Sequence, residues 1–174
     1  CNLESSEERI SLKEKLNKTK DFPNILINNA AIDFVPTSES ISDGFDLNNF
    51  DQIFKVNLLA PIDLSHWMCE EWIKRKICGK IINISSIYSV VSPDNNIYKD
   101  GFRKNVLYGS SKAALNNITK QLSSIYAKDG IQINTLVLGG IKHDSQDNNF
   151  QKNYSKKVPI GRLMNTEEII PAFD

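Results

Sequence analysis

Three short apolar runs separated by two long segments of helical periodicity constrain this chain most. The apolar runs cover residues 24–28, 80–85 and 131–137, and each has the length of a single strand. Residues 47–76 and 108–128 repeat apolar side chains at the spacing of an amphipathic helix. Strands that alternate with such helices form a parallel sheet through βαβ units. The pattern therefore predicts an α/β fold, a doubly wound parallel sheet with helices on both faces.

The charge and hydropathy of the chain exclude several classes of partner. Its 174 residues fit one domain, which we take as residues 1–174. Lys and Arg together number 21, as do Asp and Glu, so no net field attracts nucleic acid or an anionic membrane. No apolar run reaches the roughly 18 residues that span a bilayer, and no signal peptide is recognisable. We predict neither a nucleic-acid nor a membrane partner.

Cysteine and histidine are too sparse for a disulfide framework or a metal site. Cys1, Cys69 and Cys78 are odd in number and include no CxxC pair. His66 and His143 are the only histidines and stand far apart in the sequence. We predict no metal centre, a core position for Cys69, and the reducing cytoplasm as the location of the protein.

Tyr108 and Lys112 are the residues that point to chemistry. Four positions apart on a helix, they share one face. A phenol has a pKa of about 10, and a neighbouring ammonium favours the phenolate and brings that pKa toward neutrality. A hydroxyl from Ser85-Ser86 aimed at the same point would hold a carbonyl or alcohol oxygen. The set predicts proton transfer coupled to redox at a C–OH/C=O centre.

Taken singly, these residues also fit ordinary structural roles. Tyr108 could pack at a helix start, Lys112 could be a solvated surface charge, and the two serines could form a turn. Asn57 is harder to treat this way, because a buried amide within an apolar helix needs hydrogen-bond partners.

Six blocks of sequence resemble, in the right order, the short-chain dehydrogenases/reductases over essentially the whole chain. They are Asn28-Asn29-Ala30-Ala31, Phe54-Lys55-Val56-Asn57-Leu58, Gly79 to Ser86, Tyr108-Gly109-Ser110-Ser111-Lys112, Ile131 to Gly140, and Pro159-Ile160-Gly161-Arg162 followed by Glu167-Glu168. A Tyr-x-x-x-Lys pair alone arises by chance in many proteins, whereas six ordered blocks are specific. The resemblance implies a Rossmann-like domain, here truncated at both ends.

The resemblance also implies a role for each catalytic residue. Tyr108 would exchange the proton with the substrate oxygen, while Lys112 would lower the pKa of Tyr108 and hold the nicotinamide ribose hydroxyls. Ser86 would hydrogen-bond the substrate oxygen and stabilise the developing alkoxide. Asn57 would kink the long helix and hold a water that links Lys112 to solvent.

NAD or NADP is the cofactor that the resemblance implies, as the carrier of the hydride. The residues expected to contact it are Asn2, Asn28, Ala30, Tyr108, Lys112, Gly139 and Ile141. The family's first strand and its Gly-rich phosphate-binding turn have no counterpart in the chain, nor has its last strand. We therefore expect a fragment of an enzyme, one that grips a dinucleotide weakly by itself.

The stretch between Ser86 and Tyr108 is longer than is typical of the family. Tyr98 and Arg103 within it are expected to border the substrate pocket together with Ser86. Its polar and aromatic composition favours a sugar or nucleotide-sugar, and the sequence after Ser86 is similar to dehydrogenases of bacterial flagellin and surface-polysaccharide modification. The alternative is a solvated loop whose middle contacts no substrate.

Three functions stay open at this point. The first is an NAD(P)-dependent oxidoreductase that interconverts a secondary alcohol and a ketone, and the second is a reductase of carrier-bound 3-oxoacyl chains. The third is a catalytically silent protein that uses the fold as a dimerisation module. The expected protein partner is a second copy, in a homodimer or homotetramer, through the helices at 47–76 and 108–128. Phe50, Trp67 and the apolar face of 115–125 belong either to the core or to that interface.

Overall fold

Three parallel strands form the sheet of the computed structural model, which describes residues 1–33, 44–98, 102–144 and 146–173. Strands β1 (Ile25–Asn28), β2 (Lys80–Ser86) and β3 (Gln132–Leu138) lie side by side in chain order. Asn28 is level with Asn83 in this sheet, and Ser86 is level with Leu138. Because the strands are parallel, all three carboxyl ends meet at one edge. The predicted parallel sheet is confirmed.

Helices connect the strands as the periodicity predicts. The described α-helices are α1 (Ser6–Asn17), α2 (Phe50–Phe54), α3 (Ala60–Arg75), α4 (Val106–Tyr126) and α5 (Asn148–Ser155). Shorter 3-10 segments lie at Ile87–Ser89, Asn95–Ile97, Ala127–Asp129 and Thr166–Phe173. Nowhere in the described ranges is a helix both long enough and apolar enough to cross a membrane.

The long helix expected over residues 47–76 is divided by a change of helical geometry. Residues Lys55–Leu59 form a π-helical turn between α2 and α3, and Asn57 lies within it. Pro61 is the second residue of α3 and follows this turn by two positions. The change of helical geometry thus lies in the turn that carries Asn57, just before Pro61.

Side-chain caps determine where two helices begin. The side-chain oxygen of Asn105 accepts a hydrogen bond from the Leu107 amide, so α4 begins at Val106, before the predicted start at Tyr108. Asp147 caps α5 in the same way, accepting from the Asn149 and Phe150 amides. The polar composition of residues 141–157 is typical of a loop, but this cap starts a helix over Asn148–Ser155.

Helices α3 and α4 pack on the same face of the sheet around one apolar cluster. Its buried members are Met68, Cys69, Trp72, Ile81, Tyr126, Ile131 and Ile133. The core position predicted for Cys69 is confirmed. Trp67 is half-buried and packs at the edge of the cluster, with its ring centroid 5.9 Å from that of Phe22. Phe50 is exposed and stacks on Phe54.

The opposite face of β1 is open among the described residues. Ile25 and Ile27 are 49% and 45% exposed, while Leu26 between them packs against the apolar cluster. Successive side chains of a strand point to opposite faces, which explains the alternation. One face of β1 is therefore exposed in the described residues, and helices over this second face stay a prediction.

Candidate active site

Tyr108 and Lys112 lie on the first turns of α4, beside the carboxyl end of β2. Lys112 is 2% exposed, and its ammonium donates a hydrogen bond of 2.8 Å to the Ile84 carbonyl of that strand. The ammonium nitrogen is 6.0 Å from the centre of the Tyr108 ring. The helix therefore brings a phenol and a buried cation to one point at the edge of the sheet.

Burial determines the charge state of this lysine. Loss of solvent lowers the pKa of Lys112 to about 8, and the Asp33 carboxylate opposes that change. An ammonium has three N–H donors, one of which goes to Ile84. Lys112 thus combines a titration near neutral pH with the capacity to bind further acceptors.

The phenol of Tyr108 behaves differently from the prediction. Burial raises its pKa, the Asp33 and Tyr88 side chains add to the rise, and a hydrogen bond with the Ser86 side chain lowers it. Lys112, whose ammonium is directed to the Ile84 carbonyl, is not among the groups that lower the pKa of Tyr108. In this structure the phenol is the stable form of Tyr108.

Ser86 is placed by the end of β2 and by the turn that follows. Its side-chain oxygen accepts a 3.2 Å hydrogen bond from the Tyr88 amide and caps the Ile87–Ser89 turn. A side chain at Gly109 would put a Cβ 2.8 Å from the Tyr88 carbonyl oxygen, so glycine allows α4 to approach this turn. Ser85, in contrast, donates to the Lys112 carbonyl. Ser86 is the serine that reaches Tyr108, as predicted.

Asn57 fastens the loop after β1 to the site. Its amide is fully buried and forms a two-way contact with Ile32, accepting from the Ile32 amide at 2.7 Å and donating to the Ile32 carbonyl at 2.9 Å. The same side chain donates to the Ser111 hydroxyl at 3.1 Å. Asn57 thereby joins the loop, the π-helical turn and the residue before Lys112. The expected water link to solvent stays a prediction.

Asn28 belongs to a buried polar network at the same edge. Its side-chain amide donates to the Ser65 hydroxyl and to the side-chain oxygen Oδ1 of Asn83, at 3.0 and 2.7 Å. Asn83 in turn donates to the Thr119 hydroxyl of α4. Sequence reasoning missed Ser65, Asn83 and Thr119, although an asparagine inside the apolar run of β2 is a signal for a buried amide with partners.

The other expected cofactor contacts are more dispersed. Ala30 is exposed just after β1, and Asn2 is exposed at the start of the chain, where its side-chain oxygen accepts from the Glu4 amide. Gly139 follows β3, and Ile141 pairs with Met164. Ala30 and Gly139 thus follow the ends of their strands at the edge where Ser86 lies, whereas Asn2 stands before α1.

The stretch between Ser86 and Tyr108 is attached to α5. The Tyr98 ring stacks on Phe150, and its hydroxyl lies 2.6 Å from that of Tyr88. Ile97 is buried in a second cluster with Tyr154 and Leu163. Ile97 and Tyr98 are therefore packed against the protein, whereas Asn95 and Asn96 are exposed, and contact of this stretch with a substrate stays a prediction. Tyr98 is engaged in packing, and burial raises the pKa of its phenol, whereas Arg103 is exposed.

Within the described residues, no group of three acidic, cysteine or histidine side chains could hold a metal ion. The ionisable groups at the edge of the sheet are instead Tyr108 and Lys112 of α4, with Asp33 and Tyr88 nearby. A buried phenol, a buried ammonium and a hydroxyl suit the positioning and transfer of a proton.

Comparison with known proteins agrees with this geometry. Residues 1–154 match the family model described as short chain dehydrogenase. The chain is 32% identical over 175 aligned positions to the 3-oxoacyl-[acyl-carrier-protein] reductase FabG of Rickettsia conorii, with 99% of the chain and 65% of that protein covered. It is 33% identical to a 7alpha-hydroxysteroid dehydrogenase of Paraclostridium sordellii, covering 83% of the chain and 52% of the relative.

A solved structure gives the same result. A short chain dehydrogenase from Leptospira borgpetersenii with bound NAD+ superposes with a TM-score of 0.86 at 29% identity, over 99% of the chain and 65% of that protein. The chain therefore spans about two thirds or less of the length of these three proteins. The Rossmann-like fold that the motifs imply is confirmed.

Proposed function

The chain belongs to the short chain dehydrogenase family, and we propose that its protein is an NAD(P)-dependent oxidoreductase that interconverts a secondary alcohol and a ketone. The observation that carries the proposal is the meeting of Ser86, Tyr108 and Lys112 at the carboxyl edge of the sheet. That set argues against a catalytically silent dimerisation module, which needs no buried ammonium beside a phenol.

The residues present fit a nicotinamide dinucleotide. Lys112 has N–H donors beyond the one on Ile84, and ribose hydroxyls are suitable acceptors. Tyr108 and Lys112 would hold the ribose, with Asn28, Ala30, Gly139 and Ile141 along the strand ends and Asn2 toward the base. The cofactor, NAD or NADP, supplies or accepts the hydride at the carbon of the substrate.

The proton moves on this chain's own side chains. In ketone reduction the Ser86 hydroxyl donates a hydrogen bond to the substrate oxygen, and the Tyr108 O–H transfers its proton to that oxygen as negative charge develops. The raised pKa of Tyr108 keeps the phenol protonated for this step. Alcohol oxidation runs the same transfer backward, with the proton of the alcohol moving to the Tyr108 phenolate.

One narrower substrate class has support from the relatives. The Rickettsia protein that the chain resembles is a 3-oxoacyl-[acyl-carrier-protein] reductase, which favours a 3-oxoacyl thioester as substrate. A sugar or nucleotide-sugar, and a role in flagellin or polysaccharide modification, rest on the polar stretch before α4. Because Tyr98 packs against Phe150, the exposed Arg103 is the side chain of this stretch that supports a sugar or nucleotide-sugar as substrate.

A second copy of the chain is the proposed protein partner. A shallow apolar groove of about 250 Å³ on the outer side of α2 and α3 is lined by Asp51, Phe54, Lys55, Leu58, Leu59 and Ile62. Its position within the helices at 47–76 supports self-association there. The cytoplasmic location and the single domain stay predictions.

Replacement of Tyr108 by Phe in the full-length protein tests the proposed function. We expect the turnover of a 3-oxoacyl thioester or a keto sugar, followed by NAD(P)H absorbance, to fall by about a hundredfold or more, because general acid catalysis is lost. Binding of NAD(P)H, followed by its fluorescence, should change little. Tyr126→Phe is the matched control, because Tyr126 lies on the same helix and its hydroxyl contacts His66. Turnover of Tyr108→Phe at the rate of that control would refute the proposed role.

A further inference from the structure

A second lysine lies closer to the Tyr108 ring than Lys112 does. The ammonium of Lys104 is 5.2 Å from the ring centre, compared with 6.0 Å for Lys112. The Lys104 side chain is only 9% exposed, so solvent screens its charge weakly. Lys104 lies outside the motif blocks that identify the family, and sequence reasoning assigned it no role.

Lys104 is paired with an acidic residue from a distant part of the chain. Its ammonium forms an ion pair with the Asp33 carboxylate, which lies in the loop after β1 and is 27% exposed. The other Asp33 oxygen, Oδ1, is buried and has no hydrogen-bond partner in the part of the chain that the structure describes. Among the described residues, the cation in direct contact with Asp33 is therefore Lys104, and Asp33 also interacts electrostatically with Lys112.

Both members of the pair are held in place by neighbours. Ile32, the residue before Asp33, is bound by Asn57 through two hydrogen bonds. Asn105, the residue after Lys104, caps α4 and also donates to the Asp46 carbonyl at 2.7 Å. The pair is thus fixed at the start of the helix that carries Tyr108.

We propose that Lys104 and Asp33 are positioning residues that set the proton affinity of Tyr108, with Lys104 favouring the phenolate and Asp33 opposing it. The inference rests on the proposed function of Tyr108. The groups that face the phenol are Asp33 from the loop after β1, Ser86 and Tyr88 from the end of β2, and Lys104 and Lys112 around the start of α4. Asp33 raises the pKa of both Tyr108 and Lys112, which agrees with this arrangement.

The pH dependence of alcohol oxidation tests the pair in the full-length protein. Oxidation needs the phenolate, so kcat/KM rises with pH through the apparent pKa of the site. In Lys104→Met the charge of Asp33 is left uncompensated, and we expect that apparent pKa to rise by about one unit. In Asp33→Asn the lysine is left without its counter-ion, and we expect a fall of about one unit. The double variant should lie between the two.

Two further variants separate this effect from a loss of structure. Lys104→Arg keeps the charge and should retain the wild-type pH profile, whereas a purely structural role predicts lower rates at every pH with no displacement. Lys128→Met changes an exposed lysine just after the C-terminal end of α4. This control should leave the pH profile unchanged. Superimposable profiles for wild type, Lys104→Met and Asp33→Asn would overturn the inference. Activity that survives in Tyr108→Phe would instead refute the proposed function itself.

Discussion

Replacing Asn57 with Ala should destabilise the protein strongly while removing only one small side chain. Asn57 is fully buried and makes three hydrogen bonds, two with the backbone of Ile32 and one with the Ser111 hydroxyl. Ala can form none of them, so the Ile32 amide and carbonyl lose partners in a partly buried position.

The magnitude follows from these contacts. Each intramolecular hydrogen bond contributes about 1 kcal/mol net, so three bonds predict a loss of about 3 kcal/mol in the free energy of unfolding. For a domain of this size, such a loss lowers the Tm by about 6–12 °C. The loop that carries Asp33 should also loosen, and turnover should fall with it.

Thermal and denaturant unfolding of the full-length protein, at one fixed protein concentration, measures this loss. Asn117→Ala is the matched control, because Asn117 is exposed on α4 and its side chain contacts only Gln121 among the described residues. We expect the control to lie within about 0.5 kcal/mol of wild type. A loss below about 1 kcal/mol in Asn57→Ala would refute the view that this amide holds the loop to the helix.

Two other substitutions test the packing around the site. Gly109→Ala places a Cβ 2.8 Å from the Tyr88 carbonyl oxygen, so α4 and the turn after Ser86 must separate; turnover should fall by about tenfold or more, while Ser110→Ala, at an exposed neighbour, should have little effect. Equal kinetics for both variants would contradict the close approach. Asp63→Asn should lower the free energy of unfolding by about 1 kcal/mol at neutral pH. Burial raises the pKa of the Asp63 carboxyl, but hydrogen bonds from Lys13 and Arg9 outweigh it and lower that pKa, and Asn loses both ion pairs. Because the pKa of Asp63 is lower in the folded than in the unfolded protein, the ionised carboxylate stabilises the fold at pH values above the unfolded pKa. The difference in unfolding free energy between Asp63→Asn and wild type, measured in urea, should therefore shrink as the pH falls below about 4. A difference that does not depend on pH would contradict the ion pairs.

The elements with strong periodicity were predictable from sequence, and those set by caps or long-range burial were not. Strands β2 and β3 and helix α4 follow from apolar runs and helical spacing. Helix α5 was not predicted, because its apolar face is reduced to Phe150 and Tyr154 and its start depends on the Asp147 cap. The exposure of β1 could not be read from an apolar run, which gives no information on which face is covered.

The candidate site also contains residues that the sequence predicts and contacts that it does not. Tyr108, Lys112 and Ser86 follow from local motifs, and the structure brings them together. The Lys104–Asp33 pair joins residues 71 positions apart in the sequence, a proximity that no spacing rule provides. The raised pKa of Tyr108 could not be predicted from the sequence either, because loss of solvent depends on the tertiary packing around the ring.

Transfer of deuterium from a reduced nicotinamide that carries two deuterium atoms at its reactive carbon tests the central claim most directly. The full-length protein is incubated with the labelled cofactor and a 3-oxoacyl thioester or a keto sugar, and the alcohol product is analysed by mass spectrometry. We expect one deuterium on the carbinol carbon of the product. The rate of its formation should drop by about a hundredfold or more in Tyr108→Phe. An unlabelled product, or label transfer that is equally fast in the Tyr108 variant, would contradict the central claim.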